Sequence, residues 1–544
     1  MAKISNTKTL FFVTSPRSPI KLIPELQLLK QFEGKVWDEK TQSDFTAVLL
    51  KESSSFKKKP KDPSFTARDR INRAPKSLGF VNLEPTIQIT EAGKKLDSDF
   101  REEIFLRQLL KFQLPSYYHP CDTSIFEVKP FLEIIRLIFD LDGLTKTEMQ
   151  IFGLQVTKVS KYSEICEKIL KFREDKLKIK QGKKIHAIKT CISEFNKIYA
   201  KDLPKPKKAH QIELIKKMRN ARDYADACFR YLLFTGLFEY DFNTSELQVK
   251  ENTRKEVEYI LKNVPRAVTI FSTKEQFKEY LFDPFTPSLF WDVPTNIIAE
   301  LERLKIKTTP ADTIEELKKK LIEGWKKTYE LTINKEVEVL VKKNDLGEVF
   351  GIYDSLIESN SELIEPNLYL EWNTWRAFVV LDDGKINGNF LRDRDGNPIS
   401  TAGGGKPDLE CDYKDFGLIV EVTRSSGATQ YNMEGEPVAR HLGDARRRVT
   451  GKPIYAIFIP IKLHPATLTH FFMLLKYQLP YYNGTAEIIP IELSYFVELL
   501  KRCGGNIQSQ KMKLFIEKLI VIGKETQNPE EWYAQIKKSC QSGL

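Results

Sequence analysis

At 544 residues, with 41% hydrophobic and 11% aromatic residues, the chain is long enough for two to four domains with full cores. A net charge of +11 favours a polyanionic partner, and no apolar run approaches the roughly eighteen residues a membrane span needs. Seven scattered cysteines without a Cys-x-x-Cys pair argue against a disulfide framework and a zinc ribbon, and the first residues lack the apolar core of a signal peptide, so a cytoplasmic protein is expected.

The opening Phe11-Phe12-Val13-Thr14 run stops at Ser15-Pro16-Arg17-Ser18-Pro19, where two prolines bracket Arg17 in a stiff loop. Residues 23–32 have helical spacing, with Leu26, Leu29 and Phe32 on one face. Ser64 is the expected N-cap of a helix carrying Arg68 and Arg70. Two short strands over 79–81 and 87–89 follow, and Thr90 begins another helix. Helix, helix and two-stranded wing is the order of a winged helix, a DNA-reading module.

A related order recurs where 216–223, with Arg219 and Arg222, leads into an amphipathic 225–234 stretch and a second pair of strands at 236–240 and 247–249. An arginine fork grips guanine edges or phosphates, which makes Arg68, Arg70, Arg219 and Arg222 candidate DNA contacts. The plainer reading is that they form solvated helix faces. Between the modules, Lys176, Lys178, Lys180, Lys183, Lys184 and Lys189, then Lys205, Lys207 and Lys208, either track phosphates or lie in solubilising loops.

Residues 294–346 are charged and helical in period, and read as a connector. Beyond Gly351 helices and strands alternate. A helix over 371–378 carries Glu371, and Asp408 opens a short strand. Glu421 lies inside the apolar run Leu418-Ile419-Val420-Glu421-Val422. A carboxylate in such a strand needs a compensating cation or proton, and a hairpin that pairs it with Asp408 makes an oxygen site for a hard divalent ion. The alternative is two surface carboxylates flanking an ordinary core strand. Glycines 403–405 allow another backbone to pass close by. Glu434 is expected to start a helix through Arg440 and His441, and 453–460 is a buried strand. The order αββαβαβ predicts an α/β domain with a mixed sheet.

Pro407-Asp408 followed by Glu421-Val422-Thr423 resembles the PD-(D/E)xK nuclease core, with Thr423 where lysine is commonest. Further segments, Thr66-Ala67-Arg68-Asp69-Arg70, Ile89-Thr90-Glu91-Ala92-Gly93-Lys94, Met218-Arg219-Asn220-Ala221-Arg222-Asp223, Gly427-Ala428-Thr429-Gln430 and Met433-Glu434-Gly435-Glu436-Pro437-Val438-Ala439-Arg440-His441, resemble the AlwI-type family of type IIS restriction endonucleases, including its BstNBI-like nicking members. The resemblance implies a multidomain α+β protein of prokaryotic cytoplasm. Winged-helix-like recognition subdomains would occupy 1–160 and 161–293, a helical linker 294–350, and a PD-(D/E)xK cleavage domain 351–544.

It also implies a catalytic set of Glu371, Asp408, Glu421 and Glu434, with Mg²⁺ held by Asp408, Glu421 and the Val422 carbonyl. Gln430 is a candidate stand-in for the missing lysine. Arg17, Arg440 and His441 join the DNA contacts, although His441 also reads as a packed histidine. The implied substrate is double-stranded DNA with a short asymmetric site of GAGTC or GGATC type, and a companion DNA methyltransferase protects the host. One carboxylate set cuts one strand at a time, so the enzyme nicks, forms a transient homodimer, or borrows a second catalytic subunit. The competing readings are a sequence-specific DNA-binding protein with an inactive nuclease-like domain and a structure-specific repair nuclease.

Overall fold

Asp62 and Pro63 start the helix Pro63–Ile71. The Asp62 side chain accepts the Phe65 N–H at 2.8 Å, and Pro63 fills the first turn, where a missing N–H costs nothing. Ser64, the cap expected from sequence, is buried instead. The computed structural model describes residues 7–52, 60–343, 346–358, 362–381, 383–403, 405–504 and 508–543. They form a mostly helical α+β protein with two compact units, Met1–Trp325 and Lys326–Leu544. No described helix is long and apolar enough to cross a membrane.

In the N-terminal unit, strands Val81–Asn82 and Gln88–Ile89 pair antiparallel as a short hairpin. The helix Glu91–Lys95 sits so close that a Cβ on Gly93 would run into the Phe80 carbonyl. The basic stretch at 216–223 and the apolar one after it belong to a single 28-residue helix, Lys207–Phe234. Its wing, Phe238–Asp241 paired antiparallel with Glu246–Val249, gains a third strand, Leu144–Thr145. That strand leads into the helix Lys146–Ile151, which a reciprocal Thr145–Glu148 capping box starts. The second arrangement therefore draws on residues well ahead of its long helix. Most of the lysine-rich stretch is helical, in Tyr162–Lys178 and Lys183–Ile198, while Lys180 and Lys205 lie in the connections between helices. Trp291, Ile297, Leu301, Leu317 and Leu321 form an apolar cluster, so the start of the connector is packed as well as charged.

The C-terminal unit is built on a mixed five-stranded sheet in the order Ile488–Pro490, Ile454–Pro460, Gly417–Thr423, Leu409–Asp412, Lys385–Gly388. The first three strands run parallel, and the last two pairings are antiparallel. Gly417–Thr423 is buried almost throughout, with the helices Pro366–Leu381 and Gly427–Arg448 packed against it. Apolar runs without alternation suit central strands covered on both faces. The sequence order lacked Lys385–Gly388, a half-exposed edge strand with no apolar run, and the hairpin Leu391–Arg392/Pro398–Ser400 after it. The helix expected to begin at Glu434 starts at Gly427, which sets Glu434 two turns inside it.

Candidate active site

The site begins with strand register. Leu409 stands opposite Val420 in the antiparallel pair, so Asp408 and Glu421 take the next facing positions at the strand ends. The Val422 N–H donates to Asp408 Oδ2 at 2.8 Å, which fixes that carboxylate to the neighbouring strand. The helix Pro366–Leu381 supplies Glu371, which is 6% exposed and accepts the Ala402 N–H at 2.8 Å. Gly404 lies outside the described residues, and a Cβ added at Gly403 or Gly405 would meet nothing within 4 Å, so neither marks the close backbone passage expected from sequence.

The helix Gly427–Arg448 supplies Glu434 and His441. Thr423 Oγ1 donates to Glu434 Oε1 at 2.8 Å and accepts the Ser425 N–H at 3.0 Å. The residue that stands where lysine is commonest is thus a hinge between strand and helix. His441 is buried, with Nδ1 2.5 Å from Glu421 Oε1. Seven residues separate Glu434 from His441, two helical turns, so both face the same strand.

The electrostatics are those of crowded like charges. Burial pushes the Glu371 carboxyl well above the usual carboxylate range, and the Asp408 and Glu421 charges add to the rise. Burial does the same to Asp408, followed by the charge of Glu421, against the opposing Val422 N–H bond and with a further push from Glu434. Among the described residues no three His, Cys, Asp or Glu side chains form a ready metal cage. One oxygen of each carboxylate is bonded to protein, by the Ala402 N–H, the Val422 N–H, the Thr423 hydroxyl and His441. In donor chemistry the set nonetheless fits a hard divalent cation. It consists of desolvated oxygens whose like charges raise one another, and such groups are stabilised by a cation.

Gln430 is fully buried and spent. Its Nε2 donates to the carbonyls of Ser425 (2.9 Å) and Lys462 (2.8 Å), and its Oε1 accepts the His464 N–H (2.8 Å). It anchors the loop ahead of the active-site helix and does not replace the missing lysine. Arg440 pairs with Glu436 one turn back. In the N-terminal unit Arg17 pairs with Asp223 at 2.8 Å, which brings it to the helix that carries Arg219 and Arg222. Those two are exposed and have no ion-pair partner among the described residues. Arg68 reaches the Gln42 side chain at 3.5 Å. Arg70 turns inward to the buried Glu25, an ion pair its sequence setting did not reveal.

Four carboxylates, Glu371 and Glu421 buried and Asp408 and Glu434 half-buried, are carried by a mixed sheet and two flanking helices, and they accompany a family match that defines the chain's class as a restriction endonuclease, a type II deoxyribonuclease and hydrolase acting on DNA. The family model described as AlwI restriction endonuclease matches residues 76–499, and the chain belongs to that family. Among solved structures it is similar to the small subunit of the heterodimeric restriction endonuclease R.BspD6I. Identity is 26%, over 34% of this chain and 97% of the subunit, with a TM-score of 0.30. The comparison with curated proteins finds no match.

Proposed function

We propose that the chain is a type IIS endonuclease that reads a short asymmetric duplex site and hydrolyses a phosphodiester bond a few nucleotides outside it. The observation that carries this reading is the facing pair Asp408 and Glu421, with Glu371 and Glu434 beside them, whose like charges and desolvation raise the Asp408 and Glu371 carboxyls. Asp408, Glu421 and the Val422 carbonyl are the Mg²⁺ ligands in this reading. When bound there, Mg²⁺ would neutralise phosphate charge and lower the pKa of a water. Glu371 and Glu434 orient the attacking water, His441 steadies Glu421, and Thr423 steadies Glu434. Water oxygen bonds to phosphorus as the 3′ oxygen leaves, which gives 5′-phosphate and 3′-hydroxyl ends.

Recognition falls to winged-helix-like modules over 1–160 and 161–293, with 294–350 as linker and 351–544 as a PD-(D/E)xK cleavage domain. Arg219 and Arg222, exposed on the 28-residue helix, with Arg17 beside them, are the DNA contacts their geometry favours most. The site is of GAGTC or GGATC type, and a companion methyltransferase protects it. One carboxylate set per chain implies nicking, or two-strand cutting through a transient homodimer or a second catalytic subunit.

Digestion of a sequenced plasmid in Mg²⁺, with each strand labelled and the ends sequenced, tests the proposal. Breaks at a fixed offset from one short sequence are expected. Site-specific binding without breaks would favour the inactive DNA-binding alternative, and breaks without a fixed sequence a structure-specific nuclease.

A further inference from the structure

Arg424 follows Thr423 directly and stands three residues beyond Glu421. Every other arginine of the C-terminal unit lies within 3.9 Å of a carboxylate. Arg424 has no ion pair or hydrogen bond among the described residues, although it is half-buried and its Nε is sealed from solvent. The first turn of the helix that follows, Gly427–Arg448, holds no acid to reach back to it. A half-buried guanidinium whose sealed Nε has no acceptor carries a cost that an arriving anion can offset.

That anion is not one of the site carboxylates, since among the described residues no ion pair or hydrogen bond joins Arg424 to any of them. Arg424 follows Thr423, whose hydroxyl bonds Glu434, and three extended residues span at most about 10 Å, so its backbone stands at the edge of the site. A DNA strand laid across the site carries a phosphate every few ångströms along its backbone. We infer that Arg424 grips a phosphate of the cleaved strand adjacent to the scissile one, and so holds that strand in register over Asp408 and Glu421. The assignment rests on the endonuclease reading above. It gives the cleavage unit its own strand contact beside a cluster of acids that otherwise repels DNA.

The test compares full-length wild type with Arg424→Ala and Arg424→Lys on linear plasmid DNA. It measures cleavage in Mg²⁺, affinity without Mg²⁺ over a salt series, and thermal midpoint. For Arg424→Ala, kcat/KM should fall about 10- to 100-fold, and the slope of log affinity against log salt should flatten by about one. The midpoint should hold or rise, because an unpaired buried cation is removed. Arg424→Lys should restore the slope but only part of the rate, for lysine lacks the bidentate fork. Wild-type cleavage and slope in Arg424→Ala overturn the inference and leave the endonuclease reading standing. A lower midpoint with an unchanged slope also overturns it, in favour of a packing role. A wild type that does not cut, with a flattened slope in Arg424→Ala, removes the endonuclease reading and keeps the phosphate contact.

Discussion

Buried charge is handled in opposite ways in two regions of the molecule, one in each unit. In the N-terminal unit, Arg107 is 2% exposed and donates to both Asp292 oxygens, at 2.7 and 2.9 Å, with Glu103 and Lys318 closing the network. Despite its burial, Asp292 is held below its ordinary pKa by Arg107. Arg266–Glu133 at 2.5 Å and Arg173–Glu148 at 2.8 Å follow the same rule. In the C-terminal unit, burial and mutual repulsion drive Glu371 and Asp408 the other way. Paired charge marks a unit arranged to hold its shape. Unrelieved like charge marks the place where free energy is kept for a ligand.

The largest effect expected from this contrast is at Asp408. Asp408→Asn keeps the shape and an oxygen for the Val422 N–H, but removes a ligand charge. Cutting should fall by about 10⁴-fold, roughly 5 kcal/mol of transition-state stabilisation, while site-specific binding persists. Stability should rise, because a desolvated like charge has gone, and the thermal midpoint should climb a few degrees, about 2–4 °C per kcal/mol. Plasmid cleavage and calorimetry on the same preparation check both halves. Retained cutting would remove Asp408 from the site, and a lower midpoint would mean that the carboxylate is structural.

Removal of charge from the paired region should do the reverse. Arg107→Met leaves Asp292 and Glu103 with Lys318 as their remaining cation, and strips donors from the carbonyls of Phe285 and Pro287. Loss of one partner from a buried pair costs about 3–5 kcal/mol. Urea unfolding of the full chain should show that loss, with cutting per folded molecule unchanged. A variant as stable as wild type would break the contrast between the two regions.

How far this contrast could be read from sequence depends on the range of the interactions. The central strands were legible because 418–422 and 453–460 are apolar without alternation, as strands covered on both faces must be. Asp408 and Glu421 were legible as a hairpin pair for the same reason. The edge strand Lys385–Gly388 was not, since half-exposed polar residues leave no pattern. Glu371 entered only through family resemblance, because a lone glutamate on an amphipathic helix has no local signature. The Thr423–Glu434 and His441–Glu421 bonds depend on where a helix begins, and the start at Gly427 was missed. Arg70 read as a DNA contact because its partner Glu25 lies 45 residues earlier. Arg424 carries no sequence pattern at all, and its distinction is the partner it lacks.

The smallest expected effect tests whether the N-terminal unit also holds a charge it does not pair. His119 is buried between Phe11 and Phe112, with Ser77 Oγ 3.2 Å from Nε2 and Ser116 Oγ 3.4 Å from Nδ1. Burial, then the nearby Lys76 charge, pushes its pKa from 6.5 down to about 4. The folded value lies below the unfolded one, so the ring is neutral in both states above pH 6.5 and stability there is full. As pH falls from 6.5 toward 4, the unfolded chain takes up a proton that the folded chain refuses. Stability is then lost, up to about 3 kcal/mol across the window. His119→Gln keeps a group able to bond both serines but does not titrate. The wild-type advantage over His119→Gln should therefore be greatest at pH 7 and shrink steadily to pH 4, in urea unfolding of the full chain. Parallel curves for the two proteins would show that His119 protonates in the fold and is not an unpaired site of this kind.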